Sequence, residues 1–187
     1  MRYFVLSFVV LILSGCAAKP LTPDQYYRIS VDRVDAANQG TNVVLRRIET
    51  PGILGGRALL VGEQFEPLVV REVRGHLWIS PPSQWVSELL LARGFTDARL
   101  HGEGSPVRSK YTLDLALTDL FIDLKQSAVR VGLSGRLIAD GRESAVSCFS
   151  EQALEATGEV EIASVAAFKL GFEGCFAELD QQISGLL

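Results

Sequence analysis

The sequence predicts a single α/β domain that ends in an antiparallel meander and is packed by two main helices. Apolar and polar residues alternate through residues 111–117 and again through residues 129–137, which is typical of strands with one buried face. Apolar residues recur at helical spacing after residue 83 and, over a longer stretch, after residue 165. No linker, repeat or low-complexity tract divides the 187 residues, so we expect one core.

The first fifteen residues are predicted to be a secretory signal. Arg2 is followed by an apolar run at residues 3–13, which as a helix would rise about 16 Å, too short for the roughly 30 Å bilayer core. Leu13-Ser14-Gly15-Cys16 resembles the lipobox of bacterial lipoproteins, in which small residues fit the peptidase and the cysteine accepts the lipid. The alternative is a core strand followed by an unrelated cysteine. We expect residues 1–15 to be removed and Cys16 to carry acyl chains such as palmitate.

The predicted anchor indicates a location at the outer membrane, on its periplasmic face. Bacterial lipoproteins usually carry three acyl chains, and two or more hold a protein on a bilayer for long times. Ala17 stands where an aspartate would favour inner-membrane retention in enteric bacteria. Residues 16–23 are expected to be a lipidated tether, of which residues 17–23 span about 25 Å at most. The domain at residues 24–187 should therefore stay close to the membrane.

Charge excludes one class of partner. Without the signal, 22 acidic residues stand against 17 Lys and Arg (18 less Arg2), a net charge of −5. Such a chain has no electrostatic footprint for nucleic acid. Membrane contact is expected from the lipid anchor.

Two cysteines remain after the predicted processing, Cys148 and Cys175. In an oxidising compartment an even pair indicates a disulfide first, and closing a loop of roughly 28 residues would add about 3 kcal/mol. The alternative is that both are small buried residues with free thiols. A bridge would attach the last strand to the last helix.

The first half of the domain is predicted to alternate short strands with turns. Pro67 disfavours one continuous strand through its position, and Ser83 is expected to cap a helix that ends at Gly94. Strands are expected at residues 26–31, 42–48, 57–61, 68–73 and 76–80, a glycine-rich loop at residues 51–56, and the helix at residues 83–93.

The second half is predicted to be a three-stranded meander followed by a long helix. The apolar phase shifts between Leu117 and Leu120, which predicts a β-bulge near Thr118-Asp119. Asp140-Gly141 predicts a tight turn into a strand at residues 143–153. One apolar stripe marks the helix: Val165, Phe168, Phe172, Phe176, Leu179, Ile183 and Leu186. Gly171 and Gly174 interrupt this helix, which predicts close packing of its backbone on the sheet.

The sequence predicts a protein that is not an enzyme and has no cofactor or metal. His76 and His101 belong to no metal-ligand spacing, and no G-x-S-x-G nucleophile elbow is present. The G-x-G at residues 102–104 lacks the third glycine of a dinucleotide site. Three carboxylates in one strand region are expected to be solvated edge charges: Asp114, Asp119 and Asp123.

Apolar and aromatic residues near predicted loops and helix ends are the candidates for binding a partner. Such residues either anchor an interface or complete a core, and the sequence leaves both readings open. The candidates are Leu54, Phe65, Leu68, Trp78 and Trp85.

The order of these elements resembles the ABC-type transport auxiliary lipoproteins, the PqiC-like family of paraquat-inducible, intermembrane transport lipoproteins. The resemblance rests on loose features along nearly the whole mature chain: the lipobox followed closely by Tyr26-Tyr27-Arg28-Ile29, a strand ending at Pro51 and Gly52-Ile53-Leu54, Trp78 and Pro81-Pro82 before a helix, Asp140-Gly141 in the meander, and a terminal helix opening near Ile162-Ala163-Ser164. The cysteine pair is not a feature of that family generally.

The resemblance implies a mixed β-sheet packed by helices, similar to the N-terminal domain of TolB. It also implies a non-catalytic role in moving lipids or other hydrophobic molecules between two membranes. The lipoprotein would dock an MCE-domain protein, which forms a tunnel across the periplasm, to the outer membrane, either singly or as a homo-oligomeric ring. An ATPase and a permease, or a permease-like protein, would lie at the inner membrane. The alternative is a periplasmic lipid-binding carrier.

Overall fold

The computed structural model describes residues 23–29, 43–65, 68–97, 110–154 and 160–187. In this part of the chain one mixed sheet of eight strands is packed by two α-helices, which confirms the predicted α/β class. The strands are β1 (Gln25–Tyr27), β2 (Val43–Glu49), β3 (Ala58–Phe65), β4 (Leu68–Trp78), β5 (Thr96–Asp97), β6 (Tyr111–Asp123), β7 (Ala128–Ala139) and β8 (Arg142–Ala153). The helices are α1 (Pro82–Ala92) and α2 (Val160–Leu186), and a 3-10 helix spans Gly52–Gly55.

Strand β6 is the centre of the sheet. Its whole length pairs antiparallel with β7 on one edge. Its other edge pairs in parallel first with β2 and, at its end, with β3. From there β3 pairs antiparallel with β4, β4 in parallel with β1, and β2 in parallel with β5. The sheet is therefore mixed, with the antiparallel meander β6–β7–β8 on one side.

The local features predicted for the meander are confirmed. The register of β6 against β7 shifts between Leu117 and Asp119, where the bulge was expected. Asp140 and Gly141 have φ values of 47° and 79°, and Ala139 pairs with Arg142 across them. Positive φ at both central residues is the geometry of a two-residue hairpin turn, which explains why Asp-Gly occurs there.

Helix α2 buries the predicted stripe against the sheet. Phe168, Phe172 and Leu179 are among its buried residues, while Leu186 at the end of the stripe is 44% exposed. A Cβ at Gly171 would lie 2.9 Å from Val131 Cγ2 of β7. The missing side chain therefore allows the close packing that the sequence predicted.

Two predicted boundaries differ from the structure. Strand β4 continues to Trp78 instead of stopping and restarting, because Gly75 adopts a φ of 79° within it. Helix α1 begins at Pro82 without a side-chain cap, so the predicted cap at Ser83 is wrong; Pro82 takes the first helical position, where its missing N–H is tolerated. The predicted helix end is confirmed by Gly94, whose φ is 96°. His101 and residues 30–42 and 102–104 lie outside the described residues.

Two of the three carboxylates predicted at a strand edge are buried instead. Asp114 is 5% exposed and Asp123 is fully buried, because β6 lies inside the sheet rather than at its edge. Asp123 Oδ1 accepts hydrogen bonds from the N–H groups of Lys125 and Gln126 at 3.0 and 2.9 Å, and its Oδ2 lies 3.0 Å from the Arg130 guanidinium. This carboxylate therefore holds the β6–β7 turn.

Asp114 is expected to make folding stability depend on pH. Its hydrogen bond from Arg46 holds the pKa of the Asp114 carboxyl below its ordinary value, against an opposing effect of burial. A carboxyl whose pKa is lower in the folded state stabilises the fold above its unfolded pKa near 4, and this contribution disappears as the pH falls through the folded pKa. Because Arg46 is half exposed, we expect Asp114→Asn to lower the unfolding free energy at neutral pH by about 1–2 kcal/mol.

Urea denaturation of the wild type and Asp114→Asn between about pH 3 and pH 7 checks this expectation. The difference between the two proteins should shrink toward the acid end. Asp140→Asn is the control, because Asp140 is exposed in the β7–β8 turn, where asparagine is well tolerated. A constant difference across the pH range would contradict the assignment.

The edge of β8 that faces away from β7 pairs with no described strand, and side chains of α2 contact its backbone groups. Gln182 accepts a hydrogen bond from the Ser147 N–H at 3.1 Å and donates one to the Ser147 carbonyl at 2.7 Å. Glu178 Oε2 accepts the Phe149 N–H at 3.4 Å. These contacts satisfy backbone groups that another chain's strand would otherwise use.

The predicted disulfide is present between β8 and α2. Cys148 and Cys175 are bonded, with their Cα atoms 5.0 Å apart. The bridge therefore holds α2 next to β8, where Glu178 and Gln182 contact the β8 backbone. Of the two alternatives for the cysteine pair, the disulfide is confirmed.

Candidate interaction site

Three of the five residues predicted to bind a partner belong to the core. Leu54, Trp78 and Trp85 are 9%, 1% and 4% exposed, so for these three the structure supports the second reading that the sequence left open, completion of a core. The centroid of the Trp78 ring lies 5.3 Å from that of Trp85 and 5.5 Å from that of Phe168. Trp85 in turn contacts Phe172, with ring centroids 5.1 Å apart. The two tryptophans thus fill the space between the sheet and its helices.

The remaining predicted site residues stay predictions. Phe65 and Leu68 face each other in register at the closed end of the β3–β4 hairpin, but their side chains lie outside the described part of the structure. Cys16 also lies outside the described residues.

A surface cleft of about 490 Å³ lies between the β1 segment and the first half of α2. Apolar side chains and two cations line it: Tyr26, Tyr27, Arg28, Ile29, Val165, Ala166 and Lys169. Ile29 is 5% exposed and Val165 packs against the core. We call this the β1–α2 cleft.

Two tyrosines lie in the β1 segment that lines the cleft: Tyr27 is fixed by hydrogen bonds, and Tyr26 is exposed. The Tyr27 hydroxyl donates to Gln25 Oε1 at 2.6 Å and lies 2.8 Å from His76 Nδ1, and its ring stacks on the His76 imidazole. Successive strand residues point in opposite directions, and Tyr26 is accordingly 56% exposed. The Arg57 guanidinium lies 5.6 Å from the centroid of the Tyr26 ring, a cation–π contact that orients it.

A second exposed apolar residue lies on α2 beside the cleft, outside the residues that line it. Leu170 is 55% exposed and follows Ala166 by one helical turn, so the two share a side of α2. Lys169 lies between them in the sequence and lines the cleft. On the strand wall, Arg28 is an exposed cation whose contact with Glu88 of α1 is 3.9 Å long.

This arrangement is suited to binding an apolar partner with acidic groups near its margin. Exposed aromatic and aliphatic side chains next to a surface cleft are typical of residues that anchor a protein interface. Arg28 and Lys169 add positive charge to the lining of this cleft. In the described ranges, no group of three or more His, Cys, Asp and Glu side chains is placed to hold a metal ion. No described helix is both long and apolar enough to cross a membrane.

The sequence contains a signal for this cleft in a segment whose pattern predicts only a strand. Tyr26-Tyr27-Arg28-Ile29 combines two aromatic residues and a cation directly after the predicted tether. Leu170 stands outside the buried stripe of α2. Neither observation locates a cleft until the strand and the helix are known to be neighbours.

Comparison with known proteins shows the fold and no more. No family model matches the chain, and no curated protein matches its sequence. A crystal structure of an uncharacterized protein aligns with a TM-score of 0.63 and 19% identity over 87% of this chain and 99% of the other. A DUF330 protein from Xanthomonas campestris aligns with a TM-score of 0.63 and 15% identity over 88% and 97% of the two chains. The chain shares the mixed α/β fold of these two structures.

Proposed function

We propose that this protein is a lipid-anchored, non-catalytic component of an intermembrane transport system. In this proposal it lies on the periplasmic face of the outer membrane and docks an MCE-domain tunnel protein through the β1–α2 cleft. The resemblance of the sequence to the transport auxiliary lipoproteins suggests the class of partner. The β1–α2 cleft, with exposed Tyr26 in its lining, is the surface that would bind this partner.

The observation that carries the proposal is the position of the cleft beside the predicted anchor. Gln25, the first residue of β1, follows Cys16 by nine residues, which span about 30 Å when extended. A cleft whose wall is β1 is therefore held near the bilayer to which Cys16 would be attached. A tunnel that ends at that membrane would meet this surface.

The chemistry of the surface also favours a protein partner. Tyr26 and Leu170 are each more than half exposed, and residues of this kind dominate binding energy when a partner covers them. The free edge of β8 is a less suitable alternative, since Gln182 and Glu178 occupy its backbone groups at Ser147 and Phe149.

A lipid carrier is the second candidate, and the same cleft favours it. Its volume of about 490 Å³ falls within the range of small-molecule sites. Its apolar floor is suited to part of an acyl chain, and Arg28 and Lys169 to an anionic headgroup. Native mass spectrometry of the purified protein would detect such a lipid directly.

Affinity purification of the full-length protein from crosslinked envelopes tests the docking proposal. We expect an MCE-domain protein to co-purify, and Tyr26→Asp and Leu170→Asp each to weaken its binding about thirtyfold, since an anchor residue contributes about 2 kcal/mol. Phe149→Asp is the matched control, because Phe149 is 53% exposed outside the cleft. Equal recovery with all three variants, or repeated absence of any MCE protein, would contradict the proposal.

A further inference from the structure

A second cleft of about 340 Å³ separates β2 from the beginning of α1. Five of its seven lining residues have side chains that can donate hydrogen bonds; the lining is Leu45, Arg46, Arg47, Ile48, Ser83, Gln84 and Ser87. We call it the β2–α1 cleft.

A β-bulge brings two arginines to this cleft. In the pairing of β2 with β6, Leu45 faces Leu113 and Arg47 faces Asp114, so Arg46 is an inserted residue without a partner in the register. Consecutive strand residues normally point to opposite faces, and the bulge removes this alternation. Both guanidinium groups consequently lie near Asp114, Arg46 Nε at 2.7 Å and Arg47 Nε at 4.0 Å from Oδ1.

The two arginines differ in how firmly they are held. Arg46 makes two hydrogen bonds to the Asp114 carboxylate, which neutralise it and fix its position. Arg47 is only within 4.0 Å of Asp114, and its other contact, at 3.0 Å, is to Glu49, whose side chain is 56% exposed. An exposed pair of this kind is weak in water. Arg47 can therefore exchange Glu49 for another anion.

The opposite wall is the uncapped beginning of α1. No side chain caps this helix. The Pro81 carbonyl accepts the Gln84 and Trp85 N–H groups and Pro82 has no N–H, so the Ser83 N–H is the first-turn donor left for a ligand within the described residues. Ser83 and Gln84 of the first turn line the cleft. One turn later Ser87 also lines it, and this residue is only 7% exposed.

Ser87 is the observation that indicates a ligand. Its hydroxyl makes no hydrogen bond to any residue within the described ranges. The hydroxyl oxygen is accessible from the cleft and not sealed in the core, so a ligand in the cleft can accept its hydrogen bond. An oxygen-rich anion would accept from the hydroxyl, from the first turn of the helix and from the guanidinium together.

We infer that the β2–α1 cleft binds a phosphate group. Phosphate has several acceptor oxygens, which suit a helix N-terminus and an arginine better than a single acceptor does. The group could be carried by an anionic phospholipid headgroup or by a free phosphate compound. The inference does not depend on the docking function, because it uses a different cleft and different residues.

Isothermal titration of the full-length lipoprotein in a neutral detergent tests this inference, with inorganic phosphate and short-chain phosphatidylglycerol as the two probes. We expect Arg47→Gln to weaken binding about tenfold and Ser87→Ala several-fold, since one charge-assisted and one neutral hydrogen bond are lost. Arg142→Gln is the matched control, since Arg142 is exposed on β8 and outside the cleft lining. Thermal melting of each variant verifies folding, and serine to alanine within a helix should not destabilise it.

Each outcome has a defined meaning. Binding of inorganic phosphate that both cleft variants weaken supports the site and a free phosphate source. Binding of phosphatidylglycerol alone, weakened by the same variants, supports the site and a lipid headgroup. Failure of both probes, or binding that Arg47→Gln and Ser87→Ala leave unchanged, would overturn the inference. Phosphatidylglycerol binding that only Lys169→Gln weakens would place the lipid in the β1–α2 cleft and would also overturn it.

Discussion

Replacing Trp78 by alanine is expected to lower the unfolding free energy by about 3–5 kcal/mol, the usual effect of removing a buried aromatic side chain. Trp78 is 1% exposed and contacts both Trp85 and Phe168. It therefore joins the end of β4 to both helices, and the cavity left by alanine could not collapse without moving one of them. Urea denaturation followed by circular dichroism measures the loss.

Tyr26→Ala provides the comparison for Trp78→Ala. Tyr26 lies on the same edge of the sheet but is 56% exposed, so its replacement should change stability by about 0.5 kcal/mol or less. If Trp78→Ala lowered the unfolding free energy as little as Tyr26→Ala, Trp78 would not be part of a packed aromatic core. That result would contradict the burial described above.

Reducing the Cys148–Cys175 disulfide is expected to lower the unfolding free energy by about 3–4 kcal/mol. The bridge joins residues separated by 27 positions, and the loop it closes restricts the unfolded chain by about this amount in the chain-entropy model. For a domain of this size the loss corresponds to a decrease in Tm of about 6–16 °C. Thermal melting with and without reductant measures it.

The double variant Cys148→Ala with Cys175→Ala separates this effect from other actions of the reductant without placing a serine hydroxyl at two buried positions. Its Tm should match that of the reduced wild type and should not change when reductant is added. A reduced wild type that melts at the same temperature as the oxidised protein would show that the bridge contributes nothing to stability.

The features that the sequence predicted well are determined by neighbouring residues. The bulge after Leu117 follows from a shift in apolar phase, and the turn at Asp140-Gly141 follows from the positive φ that both residues tolerate. The inward stripe of α2 follows from helical periodicity alone. Each of these depends on a few consecutive residues or on one repeating period.

The features that it missed depend on which strands become neighbours. Asp114 alternates like a solvent-facing residue, and its burial follows from the placement of β6 between β7 and β2. Trp78 and Trp85 lie near predicted boundaries, and only the approach of α2 makes them core. The cleft at Tyr26 likewise requires β1 and α2 to meet, although β1 is near the start of the chain and α2 is at its end.

In the proposed function, the β1–α2 cleft is the surface through which the anchored protein binds its transport partner. Site-specific photocrosslinking in growing cells tests it most directly, with the crosslinker placed at Tyr26 or Leu170 and, as a control, at the exposed position Glu143 on β8. We expect a crosslinked MCE-domain protein from Tyr26 and from Leu170, and none from Glu143. Crosslinks to that protein from Glu143 alone, or from no position, would contradict the claim.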